Sequence, residues 1–170
     1  NGYPLPPCAH SVGILAYLVD GCGYGWLQVK FVGVDPGASG AIAVIDDAGL
    51  PISHIKNSNL DADLFRFVMS NEPSFGFIEK VHSMPGQGVA STFKFGASYG
   101  SLRMLLTCAA IPYEEVTPAR SQGVLGCRSK GDKNVTKRKA QDLFPTVRMT
   151  HAIADAYLIA EYCRRARLGL

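Results

Sequence analysis

Residues 31–46 read FVGVDPGASGAIAVID: two apolar runs, each closed by an aspartate, with PGASG between them. The runs VKFVGV (29–34) and AIAVI (41–45) have the length and β-branched content of buried strands, and a short Gly-rich turn joins them, so the spacing predicts a β-hairpin. Asp35 then has two readings. Asp-Pro-Gly is a common turn opener in which the side chain organises its own turn. A carboxylate at a strand end can equally be held there for chemistry. Asp46, which closes the second run, reads as a turn residue.

Working outward, a third strand is predicted near 51–56. Asp61 then caps a helix carrying Leu64, Phe65, Phe67 and Val68, which stops before Asn71-Glu72-Pro73. SFGFIEK returns to strand. From 90 to 110 apolar residues recur at helical spacing, predicting a long helix whose polar face carries Lys94 and Arg103 and whose small residues Gly96, Ala97 and Gly100 permit close packing. PYEEVTP is a short strand, and Thr117-Pro118 opens a helix in cap-then-proline order. DKNVTKRKAQDLF is amphipathic, with Val135, Ala140, Leu143 and Phe144 inward, and a last helix spans about 151–167. Hairpins followed by helical crossovers give an α/β sandwich with a mixed sheet.

At 170 residues, 47% hydrophobic and 18% charged, without repeats or low-complexity tracts, the chain suits one domain with a sizeable core. The net charge of +3 is mild but unevenly spread: residues 120–139 carry Arg120, Arg128, Lys130, Lys133, Lys137, Arg138 and Lys139 against Asp132 alone. The five cysteines form no Cys-x-x-Cys pair and no zinc spacing, which suits idle thiols in a reducing cytoplasm. Residues 1–28 are read as an extension of unassigned role, preceding a domain over 29–170. Their apolar run SVGILAYLV is far shorter than the ~20 residues a membrane helix needs.

Two further acids stand at core borders. Glu79 ends the apolar run FGFI, where a charge is disfavoured unless it is paired, hydrated or bound to a cation. Either Lys80 pairs with it or it faces Asp35 across neighbouring strand ends, a repulsion that a divalent cation would relieve. Asp155 has apolar residues on both sides in THAIADAYLIAEY. It is either a first-turn acid favoured by the helix dipole or a third ligand.

The blocks GVDPGASGAIAVID, IEKVHSMPGQGVASTFKFGASYG, IPYEEVTPAR, KGDKNVTKRKAQDLFP and ADAYLIAEY, in this order and spacing over about residues 29–165, resemble the RuvC family of Holliday-junction resolvases, especially its phage-type members. The resemblance implies a ribonuclease-H-like three-layer fold, a five-stranded mixed sheet with helices on both faces. It also implies a homodimer that cuts opposed strands of a four-way DNA junction, with two Mg²⁺ (or Mn²⁺) ions per active site, leaving 5′-phosphate and 3′-hydroxyl ends. Asp35, Glu79 and Asp155 fall on the family's metal-binding acids, and Lys133 on its lysine beside the scissile phosphate.

The chain departs from the pattern where the family places a fourth ligand, three or four residues before the last acid. Here those positions are Ala152 and His151. Either His151, one helical turn from Asp155, completes the metal set, or Ala152 leaves a weakened or inactive protein that still binds junctions. Another ribonuclease-H-like activity, such as cleavage of RNA–DNA hybrids, is the further alternative. For DNA contacts, Lys130, Lys133, Lys137 and Arg138 suit backbone phosphates, with Lys94 and Arg103 beside them. Met84, Gln87 and Phe93, in and after the Gly-rich loop that follows Glu79, suit the junction centre, where an apolar side chain can wedge or stack on bases.

Overall fold

The computed structural model describes residues 28–37, 39–82, 88–129 and 131–170. Its elements follow the order β1 (Lys30–Asp35), β2 (Ala41–Asp46), β3 (Pro51–Lys56), α1 (Asp61–Asn71), β4 (Phe75–Glu79), α2 (Val89–Cys108), β5 (Tyr113–Val116), α3 (Pro118–Val124), α4 (Lys133–Leu143) and α5 (His151–Leu168). The strands form one sheet in the order β3-β2-β1-β4-β5. β1–β2 and β2–β3 are antiparallel, as tight turns require; β1–β4 and β4–β5 are parallel, as helical crossovers require.

Two apolar clusters sandwich the sheet. Phe31, Ala43, Ile45 and Phe77 point to the face covered by α5, with Phe144 of the segment after α4 beside them. Val32, Val34, Ile42, Val44 and Ile78 point to the opposite face, under α1 and α2. This is the period of two expected of strands buried on both sides. The three-layer α/β architecture is therefore the observed one.

Three local features explain how the chain turns. Gly37 has φ 117°, and the Gly40 N–H donates to the Gly37 carbonyl at 3.1 Å, closing the turn after Asp35. Asp46 is a turn residue, as expected: its carboxylate accepts from the Leu50 N–H at 2.6 Å. Asp61 does not cap α1. The capping position is Leu60, which offers no side-chain oxygen, while Asp61 sits inside the first turn where the helix dipole favours it.

α5 approaches β1 unusually closely. A Cβ on Gly33 would run into the backbone of Ala156 and Ala160, so the missing side chain is what lets the helix lie on the strand. Asp155 precedes one of those two contact points.

Candidate active site

Alternation along the strands decides which acids can meet. Phe31 and Gly33 face α5, so Asp35, two residues on, faces it too; on β4, Phe77 faces α5 and Glu79 follows it. β1 and β4 are parallel neighbours, with Val34 opposite Ile78, so both acids leave the sheet at the same end. α5 presents Asp155, half-buried, to the same place.

The electrostatics record the encounter. Burial pushes the Asp35 carboxyl well above the usual carboxylate range, and the charges of Glu79 and Asp155 push it further. Burial likewise raises Glu79, with Asp155 adding to the effect. Asp155 is raised by burial too, against the Thr136 hydroxyl within hydrogen-bonding reach and the favourable charges of Lys133 and His151. Among the described residues, Lys133 is the basic residue whose charge bears on all three acids.

None of the three carboxylates belongs to an ion pair among the described residues. Lys80, the obvious partner for Glu79, reaches Glu115 instead, at 3.9 Å. The expected cage of Asp35, Glu79, Asp155 and His151 is nevertheless not closed: among the described residues no three acid, histidine or cysteine side chains gather tightly enough to grip one ion. Bare carboxylates brought together repel each other, which adds to the burial that raises Asp35 and Glu79. An all-oxygen set of half-buried acids without an ion-pair partner has the chemistry that hard divalent cations such as Mg²⁺ or Mn²⁺ require, so the three acids fit that ion class.

No family model and no curated protein sequence matches the chain. Solved structures do. The Thermus thermophilus RuvC structure superposes with TM-score 0.63 at 16% identity, over 83% of this chain and 97% of that one. T. thermophilus RuvC in complex with its Holliday junction substrate gives 0.62 at 16% identity, covering 83% and 96%. The chain has the RuvC fold. The yeast mitochondrial Holliday junction resolvase Ydc2 shares it, with TM-score 0.55 at 15% identity over 83% of this chain and 80% of that one.

Within this RuvC-like fold the remaining expected site residues separate. His151 is the first residue of α5 and is exposed, close enough for its charge to favour the ionised Asp155. Lys133 opens α4 behind Asp132, whose carboxylate caps the helix by accepting from the Asn134 N–H at 2.9 Å. Lys137 and Arg138 lie along the same helix, on a shallow groove shared with Asn134 and Gln141 but also with Asp132 and Asp142. Met84, Gln87 and Lys130 lie outside the described residues.

Phe93 is 77% exposed on the first turns of α2, and Lys94 borders a cleft of about 560 Å³ with Asn57, Asp61 and Phe95. Arg103 is engaged by its own chain: it donates to the Tyr113 hydroxyl at 3.4 Å, lies 3.8 Å from Glu115 and covers the Tyr99 ring. Thr136, buried on α4 with its hydroxyl favouring the ionised Asp155, was not singled out in the sequence, where nothing but its helix marks it.

Proposed function

We propose that this chain is a metal-dependent endonuclease that resolves four-way DNA junctions, leaving 5′-phosphate and 3′-hydroxyl ends. The reading rests on one observation: three half-buried acids without ion-pair partners meet beside Lys133 at the ends of two parallel strands, in a fold shared with junction resolvases. Mg²⁺ or Mn²⁺ held there would acidify a bound water and neutralise charge on the reacting phosphate. Asp35, Glu79 and Asp155 would hold the ions, with His151 completing the set. The Lys133 ammonium, exposed at the start of α4, would meet a phosphate oxygen, and Lys137 and Arg138 would extend that contact along the DNA backbone.

Paired cuts need two sites, and α2 supplies a surface for a homodimer. Its inner face packs Leu102, Leu105 and Leu106 into the core, while Val89, Phe93 and Met104, 87%, 77% and 61% exposed, recur at helical spacing on the outside. Between them Gly96 and Gly100 have open space where a side chain would be, room for a second helix to approach. A helix apolar on two opposite faces calls for two partners. Met104→Glu is expected to convert a dimer into a folded monomer in sedimentation at micromolar concentration; an unchanged mass would remove α2 from the interface.

The function is tested with a labelled four-way junction, linear duplex and RNA–DNA hybrid, in Mg²⁺, Mn²⁺ or EDTA. Symmetric nicks confined to the junction and abolished by EDTA are expected, and His151→Ala is expected to slow them about tenfold or more with junction binding kept. Preferential cutting of the hybrid would overturn the assignment. Ala152 favours one alternative outcome, tight binding without nicks that Ala152→Asp converts to cleavage, which would mark a junction-binding protein that has lost a ligand.

A further inference from the structure

We propose that Asn57 is the positioning residue of the acid site, clamping the turn that carries Asp35 so that its carboxylate is held in place to receive a cation. The inference rests on the nuclease reading above. Asn57 lies 22 residues from Asp35, just past β3, yet its Nδ2 donates to the Asp35 carbonyl at 2.7 Å and to the Gly37 carbonyl at 3.0 Å. Its own backbone N–H donates to the Gly40 carbonyl at 3.1 Å. Three hydrogen bonds from one residue thus span the turn over residues 35–40.

The turn is built around that amide. A Cβ on Gly40 would strike the Asp35 carbonyl and come within 2.9 Å of Asn57 Nδ2, so the glycine leaves the space the amide occupies. On the β4 side the parallel ladder ends with Val34 opposite Ile78; on the other side Asp35 is the last residue paired with β2, opposite Ala41, and beyond that pair the described hydrogen bonds across the turn are the Gly40–Gly37 bond and those from Asn57. Two N–H donors on one short side chain meet both the Asp35 and Gly37 carbonyls. The arrangement has a cost, since Asn57 Oδ1 is buried and accepts no hydrogen bond among the described residues. A side chain kept with its acceptor unsatisfied is kept for its donors. Asn57 touches the peptide of Asp35 and not its carboxylate, so it acts through Asp35.

The test compares wild type, Asn57→Ala and Asn57→Asp by Mn²⁺ titration, followed through the loss of the free-ion electron spin resonance signal, and by junction cleavage kinetics. Asn57→Ala is expected to weaken Mn²⁺ binding about tenfold and to lower kcat by about tenfold to a hundredfold, with KM for the junction unchanged. Asn57→Asp separates positioning from filling space and from charge. It matches the shape and adds a negative charge, which by itself would tighten cation binding, but it turns oxygen toward two carbonyls, so Mn²⁺ binding is again expected to weaken.

Folded variants that bind Mn²⁺ and turn over within twofold of wild type would overturn the role of Asn57 alone. A wild-type chain that neither binds Mn²⁺ nor cuts a junction would overturn the nuclease reading and this role with it. Should Asn57→Ala not fold, Asn57→Ser, which keeps one donor, is judged by the same two readouts.

Discussion

Asp35→Asn is expected to lower junction cleavage by roughly a thousandfold while making the metal-free protein more stable at neutral pH. The first half follows from the charges that bear on it: both Glu79 and Asp155 act on Asp35, and under the proposed function losing it would remove a metal ligand. The second half follows from linkage. Burial and two neighbouring charges hold the Asp35 carboxyl well above its ordinary range, so the folded chain binds its proton more tightly than the unfolded chain does. Stability from this group is then greatest below the unfolded value of about 3.9 and falls as pH rises from there through the folded value. At pH 7 in EDTA the asparagine variant should melt several degrees above wild type, and the gap should close toward pH 4. Added Mg²⁺ should raise the melting temperature of wild type and leave that of the variant nearly unmoved. Scanning calorimetry at the two pH values reads all of this, and a variant less stable than wild type at pH 7 would show that the three acids do not strain one another.

How much of this was legible in the sequence divides by range. The elements were legible because each carries a local signal: continuous apolar, β-branched runs at Lys30–Asp35 and Ala41–Asp46, Thr117-Pro118 opening α3, the amphipathic pattern of α4. That β1 and β4 adjoin followed from the crossover order, so the meeting of Asp35 and Glu79 could be anticipated. Contacts between elements could not. Lys80 next to Glu79 looks like its partner, but successive side chains on an extended segment leave on opposite sides, and Lys80 goes to Glu115 on β5. Arg103 reads as a free cation on a helix face until Tyr113 and Glu115 arrive from the next strand. Asn57 sits in an Asn-Ser-Asn stretch that reads as an ordinary turn, and only the folding of β3 alongside β2 brings it to Asp35. The single polar face expected of α2 is not there: Lys94 and Arg103, nine residues apart, lie on opposite flanks, at the cleft with Asn57 and beside Tyr113, and the outside between them carries the apolar Val89, Phe93 and Met104.

The second large effect is expected from Gly33→Ala, a change of one methyl group that touches no acid. At Gly88, Gly96 and Gly100 a new Cβ would meet nothing within 4 Å, and at Gly76 it would press on a side-chain methyl of Val32, which a rotamer change can move. At Gly33 the obstacle is the backbone of α5 itself, at Ala156 and Ala160, and a helix cannot swing aside as a rotamer can. α5 is the central layer of its face, with Ile153, Ala154, Ala156, Tyr157, Leu158 and Ile159 all buried between the sheet on one side and α3 and α4 on the other, so lifting it opens the contact along its length. Overpacking of this kind costs typically about 1–3 kcal/mol and more where backbone is struck. For a chain of this size about 3 kcal/mol corresponds to a fall in melting temperature of roughly 6–12 °C. Cleavage should fall further than stability does, because the displaced helix carries Asp155 away from Asp35 and Glu79, and a shift of about 1 Å at a reacting centre can cost about a hundredfold. Melting curves and single-turnover rates on the same preparation separate the two losses. A Gly33→Ala protein that melts with wild type and cuts at the wild-type rate would mean that α5 does not lie on β1 as closely as the acid site requires.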